Sequence, residues 1–125
     1  MDTALKEKFN SLWKTYFNGS GLPIAFYYTD QEGRAELVDQ ASEHQCFIGA
    51  LSRVRRGKSL CFDVNSIGCS GGKRYLGFSD EIMPNFEYFL SCGIPGQLEG
   101  ERYKKTPEFR APGRFIVFKR WDMLE

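Results

Sequence analysis

A strand-like run, Ser59-Leu60-Cys61-Phe62-Asp63-Val64, leads through Asn65-Ser66-Ile67-Gly68 into Cys69-Ser70-Gly71-Gly72-Lys73-Arg74-Tyr75-Leu76-Gly77-Phe78. A strand, a small-residue turn and the opening of a helical pattern, in that order, demand a fold that mixes sheet and helix. The first amides of a helix have no partner inside it, so they attract anions and favour a thiolate over a thiol. A cysteine at that point is a candidate reactive group or metal ligand. The stretch defines a place and a style of chemistry, not a reaction.

The rest of the chain fits the same mixture. Thr3 to Phe17 reads as an amphipathic helix, with Leu5, Phe9, Leu12, Trp13, Tyr16 and Phe17 at three- and four-residue steps. Asn18-Gly19-Ser20-Gly21 stops it. Pro23 to Thr29 is a strand by its aromatic and β-branched content, and Asp30-Gln31-Glu32-Gly33 is a turn. Ser42-Glu43-His44-Gln45 matches a capping box, which places Cys46 in the opening turns of a helix that runs to about Arg56 and closes at Gly57. A helix is expected from Gly72 to Phe78, another from Pro84, and a short one from Leu98 to Lys105. Arg114 to Lys119 is a third strand, apolar within and basic at both ends.

These elements predict an α+β single domain over residues 1–125: a small mixed sheet of three or more strands packed with several helices. As a sheet edge, the strand Arg114 to Lys119 would be too apolar to stay uncovered. A homodimer would supply the cover, and so would the rest of a larger domain of which this chain is the front part.

Composition removes several classes of function. In 125 residues, 42% are hydrophobic, with 11 Phe and 6 Tyr, which argues against disorder. The formal net charge of +1 gives no reason to expect nucleic acid or an anionic membrane as a partner. No apolar run approaches the roughly 20 residues of a membrane span. The polar start, Met1-Asp2-Thr3-Ala4-Leu5-Lys6, resembles neither a signal nor a transit peptide, so a cytoplasmic protein with reduced thiols is expected. The cysteines are Cys46, Cys61, Cys69 and Cys92, and no two show the spacing of a zinc knuckle.

Taken together, Cys46 opening a helix, Arg55-Arg56-Gly57-Lys58, Cys69-x-Gly-Gly, Leu76-Gly77-Phe78 and Gly100-Glu101-Arg102-Tyr103 resemble the DUF169 family of bacterial and archaeal proteins. The resemblance covers roughly residues 20–120 and is sharpest from Cys46 to Phe78. It carries a fold expectation and no agreed activity. Family members are commonly about twice this long, so the resemblance implies that the chain matches their front half. It also implies that Cys46 and Cys69 are the family's cysteine positions and that Arg102 and Tyr103 line its pocket.

Each candidate has a plain reading beside its functional one. Cys69 is a small residue suited to a tight turn, a ligand of a metal or cluster, or a nucleophile. Cys46 has the same choices, with Phe47, Ile48 and Leu51 drawing it toward a core. If the two thiols converge, two helix openings make an electropositive pocket for an iron–sulfur cluster, another thiolate-bound metal or a small anionic ligand. His44, the single histidine, is a third ligand or polar surface; Cys61 and Cys92 are weaker ligand candidates. Gly71 and Gly72 let a ligand approach the backbone or let the chain pack closely; the pair belongs to neither a P-loop nor a dinucleotide fingerprint. The run Arg53, Arg55, Arg56, Lys58 reads as a solvated helix end.

Overall fold

A computed structural model describes residues 2–32, 36–37, 47–81 and 109–125 of the chain. The expected capping box with His44, Cys46, the helices at 84–90 and 98–105, Cys92, Arg102 and Tyr103 lie outside the described residues.

Helix α1, Thr3–Tyr16, begins where the Asp2 carboxylate accepts the amide of Ala4 at 2.9 Å, an N-cap that occupies one of the orphan donors of the first turn. Its aromatic face stacks Phe9 on Trp13 and Trp13 on Phe17. Strand β1, Ile24–Thr29, follows, then the two-residue β2, Glu36–Leu37. Helix α2, Phe47–Arg55, leads to β3, Leu60–Phe62, and the short helix α3, Ser70–Tyr75. Strand β4, Phe115–Arg120, runs into a 3-10 turn, Trp121–Met123. The described elements are three helices and a four-stranded mixed sheet, an α+β fold as expected.

The strand order is β1-β4-β3-β2. β4 runs antiparallel to both β1 and β3, whereas β2 and β3 are parallel. This corrects the expectation that the last strand is an edge: β4 is interior and has a partner on each side. The physical reason is visible in its residues. Phe115, Ile116, Val117 and Phe118 are all buried, which is the signature of a strand covered on both faces.

Alternation divides these side chains between two faces. On one, Leu60, Phe62, Ile116 and Phe118 meet Val54 of α2 and Ile67 of the loop before α3, with Ala50, Leu51, Leu76 and Phe78 packed around them. On the other, Cys61, Phe115 and Val117 form a second cluster. α1 docks at the chain's opposite end: Trp121 donates its ring N–H to Asn10 Oδ1 at 2.8 Å, its ring packs on Phe9, and Lys6 reaches the carbonyl of Leu124.

Candidate functional site

The site expected at Cys69 is built outward from the end of β3. Asp63 closes the turn with its own carboxylate, whose Oδ1 accepts the amides of Asn65 at 2.9 Å and Ser66 at 2.8 Å. The hydroxyl of the buried Ser66 accepts the amide of Asp63 at 2.8 Å. Short polar side chains that bond their own backbone in this way fix a turn. Ile67 then enters the core beside Phe62, so the chain is anchored two residues before Cys69.

Cys69 is the N-cap of α3. Its backbone is extended, at φ −94 and ψ 118, and its carbonyl accepts the amide of Lys73 at 2.9 Å. Its sulfur accepts the amide of Gly72 at 3.4 Å. The thiol is partly exposed and forms no disulfide. The sequence placed this cysteine at a helix opening; the helix begins two residues earlier than expected, at Ser70.

Gly71 and Gly72 lie inside α3, not at a sharp turn. A Cβ on Gly71 would meet the Cys69 sulfur at 3.9 Å, an ordinary contact. The glycine with a special backbone in this stretch is Gly77, at φ +81, where the expected helix to Phe78 has already ended. Gly77 donates to Arg74 O at 3.1 Å and Phe78 to Lys73 O at 2.8 Å, the paired bonds of a Schellman cap. Its carbonyl accepts the amide of Ala111 at 2.9 Å, and a Cβ there would lie 2.5 Å from that same nitrogen.

Three further contacts hold the corner. The Tyr28 hydroxyl donates to Leu76 O at 2.9 Å; burial raises the tyrosine's pKa above its ordinary value. Arg74 is only 7% exposed and donates from Nη1 to Asp80 O at 2.7 Å, so it ties α3 to the following loop and does not face solvent as a ligand would require. The Asp80 carboxylate in turn accepts from Arg110, with Nη2 at 2.7 Å. Asp63, Ser66 and Tyr28 were not singled out from the sequence, and Gly77 was noted there only within the Leu76-Gly77-Phe78 motif, not as a helix cap. The Asp-x-Asn-Ser composition and the glycine after α3 were the available signals.

The structure does not bring Cys61 to Cys69. Cys61 is fully buried with Phe115 and Val117, whereas Ile67, Leu76 and Phe78 carry the Cys69 segment onto the opposite face of the sheet. Among the described residues no group of three or more His, Cys, Asp or Glu side chains could hold a metal. The described donors around Cys69 therefore number fewer than three. The other ligand candidates named from the sequence, Cys46, Cys92 and His44, lie outside the described residues.

The chain belongs to the DUF169 family, described as Uncharacterised ArCR, whose model matches residues 15–111. No curated protein and no solved structure matches it. The matched range covers the Cys69 corner and ends at Ala111, the residue that docks on Gly77. β4, the 3-10 turn after it and all but the end of α1 lie beyond it, and α1 and that turn touch each other through Asn10 and Trp121. Among the described residues no helix is long and apolar enough to cross a membrane.

Proposed function

We propose that the chain is a cytoplasmic protein that binds a metal, an iron–sulfur cluster or a small anionic molecule through the Cys69 thiolate, with Cys46 as the second thiolate. The observation that supports this most directly is the Gly72 amide donated to the Cys69 sulfur of a partly exposed, firmly anchored turn. Hydrogen bonds to ligand sulfurs tune metal and cluster sites, and an anchored loop keeps such a sulfur in one orientation. His44 and Cys92 are the reserve ligands; Arg102 and Tyr103 are the proposed pocket lining. Gly71 and Gly72 contribute amides and little bulk. The reading assigns no reaction to the chain.

Anaerobic purification followed by an absorbance spectrum and metal analysis tests it. The expected result is bound metal in proportion to protein, lost in both Cys69→Ser and Cys46→Ser with the circular dichroism of the fold retained. A colourless, metal-free protein whose thiols all titrate freely, together with no binding of inorganic phosphate or sulfate in calorimetry, overturns it.

A further inference from the structure

The connection from α1 to β1 is a turn centred on Asn18 and Gly19. Ser20 donates its amide to Phe17 O at 2.9 Å and closes it. Both central residues are exposed, and Gly19 has φ +86. A Cβ at Gly19 would meet nothing within 4 Å, so the space beside its nitrogen is open. Among the described residues no group accepts the Gly19 amide. The side-chain carbonyl of an asparagine is an electrophile, and the amide nitrogen of the next residue reaches it by closing a five-membered ring. At Asn18 that nitrogen is unbonded, solvent-accessible and unhindered by a side chain.

Two other asparagines supply the contrast, each followed by a small serine. After Asn65, the Ser66 amide donates to Asp63 Oδ1 at 2.8 Å, and Ser66 is only 5% exposed. Asn10 and Ser11 lie inside α1, where the Ser11 amide belongs to the helical ladder. The Asn10 side chain is also held, since its Oδ1 accepts the ring N–H of Trp121 at 2.8 Å. Asn85 lies outside the described residues.

We propose that Asn18 is a site of spontaneous deamidation in the folded chain, and that the fold shields Asn10 and Asn65 from the same reaction. Asparagine is among the thermolabile residues. The Gly19 nitrogen gives its proton to solvent base and attacks Cγ of Asn18. The N–Cγ bond forms, the Cγ–Nδ2 bond breaks, and Nδ2 takes up a proton and leaves as ammonia. Water then opens the cyclic imide. Opening at Cγ gives aspartate; opening at the main-chain carbonyl gives isoaspartate, whose backbone runs through Cβ. Nothing is oxidised or reduced: one amide and one water become one carboxylate and one ammonium ion. The new carboxylate takes the formal net charge from +1 to zero. It stands just past the C-terminal end of α1, where the helix dipole disfavours an anion.

The inference is independent of the reading of Cys69. The full chain is incubated at mildly alkaline pH, folded and in urea, and each asparagine is followed by digestion and mass spectrometry. In the folded chain, a more acidic isoform and free ammonia are expected to accumulate, with conversion at Asn18 and none at Asn10 or Asn65. In urea, Asn10 and Asn65 are expected to convert as well. Asn18→Gln, at an exposed position, is expected to keep the circular dichroism of the fold and to lose conversion at this turn. An Asn18 that survives in the folded chain for as long as it takes to convert in urea overturns the proposal. Conversion of Asn10 or Asn65 in the folded chain at the pace of Asn18 does so too. Asparagines 10 and 65 that stay intact even in urea overturn the protection assigned to the fold.

Discussion

Helices α2 and α3 end in the same way, yet the two ends do different work. After α2, Gly57 donates to Val54 O at 2.9 Å and Lys58 to Arg53 O at 3.0 Å; after α3, Gly77 and Phe78 repeat that pattern on Arg74 and Lys73. Both glycines have positive φ, +99 and +81. The surroundings differ. The atoms nearest a Cβ at Gly57 would be those of the Arg120 guanidinium, at 3.7 Å or more. At Gly77 it would strike main chain, with Ala111 N at 2.5 Å and Arg110 C at 2.8 Å. One cap ends a helix beside a flexible side chain. The other is a wedge between the Cys69 corner and residues 109–111. Cap chemistry can be read locally, but the duty of the cap depends on what packs against it.

Substitution of the two glycines breaks the comparison most sharply. Gly77→Ala combines left-handed backbone strain with main-chain overlap that no side-chain shift relieves, so a loss of roughly 3 kcal/mol or more is expected. Gly57→Ala carries the backbone strain alone, about 1–2 kcal/mol. Urea unfolding of both variants measures the difference. Equal losses would show that the segment 109–111 yields freely and that Gly77 is merely a cap.

How far the sequence anticipates this structure varies with the kind of information needed. α1, β1, β3 and β4 are legible because their periodicity and their glycine boundaries are local. The two-residue β2 is not, because Glu36 and Leu37 have no pattern of their own and are ordered by pairing with Leu60 and Cys61. Strand order is not local either. The continuous apolar run of β4 signals cover on both faces, whereas its interior place comes from pairing with β1 and β3, which lie far away in sequence. Reading the same run as an edge in need of a partner mistook the effect of two covered faces for a demand on a neighbour. At the site, the Cys69 cap is legible from its small-residue context. The separation of Cys61 from Cys69 requires knowing which face of β3 the following loop returns to.

Tyr28 sharpens the contrast from the sheet side, since it reaches the α3 cap and leaves the α2 cap alone. Tyr28→Phe keeps the ring among Phe78 and Phe109 and removes the bond to Leu76 O, for an expected loss of about 1 kcal/mol. The same side chain carries a pH signature. Its folded pKa lies above the unfolded value near 10, so its contribution is complete below that pH and declines as pH rises through the folded value. Stability of the wild type against pH from 8 to 11, compared with Tyr28→Phe, is expected to converge at the alkaline end. A constant gap would assign the hydroxyl no role in that decline.

The smallest effect is expected at Gly71, and it separates packing from binding. Gly71 lies in the first turn of α3, and a Cβ there would make one ordinary contact with the Cys69 sulfur at 3.9 Å. Glycine in a helix costs roughly 0.5–1 kcal/mol relative to alanine through the freedom it loses on folding. Gly71→Ala is therefore expected to raise stability by a few tenths of a kcal/mol, against the loss at Gly77 in the same segment. Were the glycine kept for stability, the alanine variant would unfold earlier than the wild type in urea, and the open space beside the sulfur would have been misjudged. If a bound group sits against Cys69, the added methyl narrows its approach. Stability then rises while metal content or phosphate binding falls, and that opposition of sign is what a glycine retained for access, not for folding, produces.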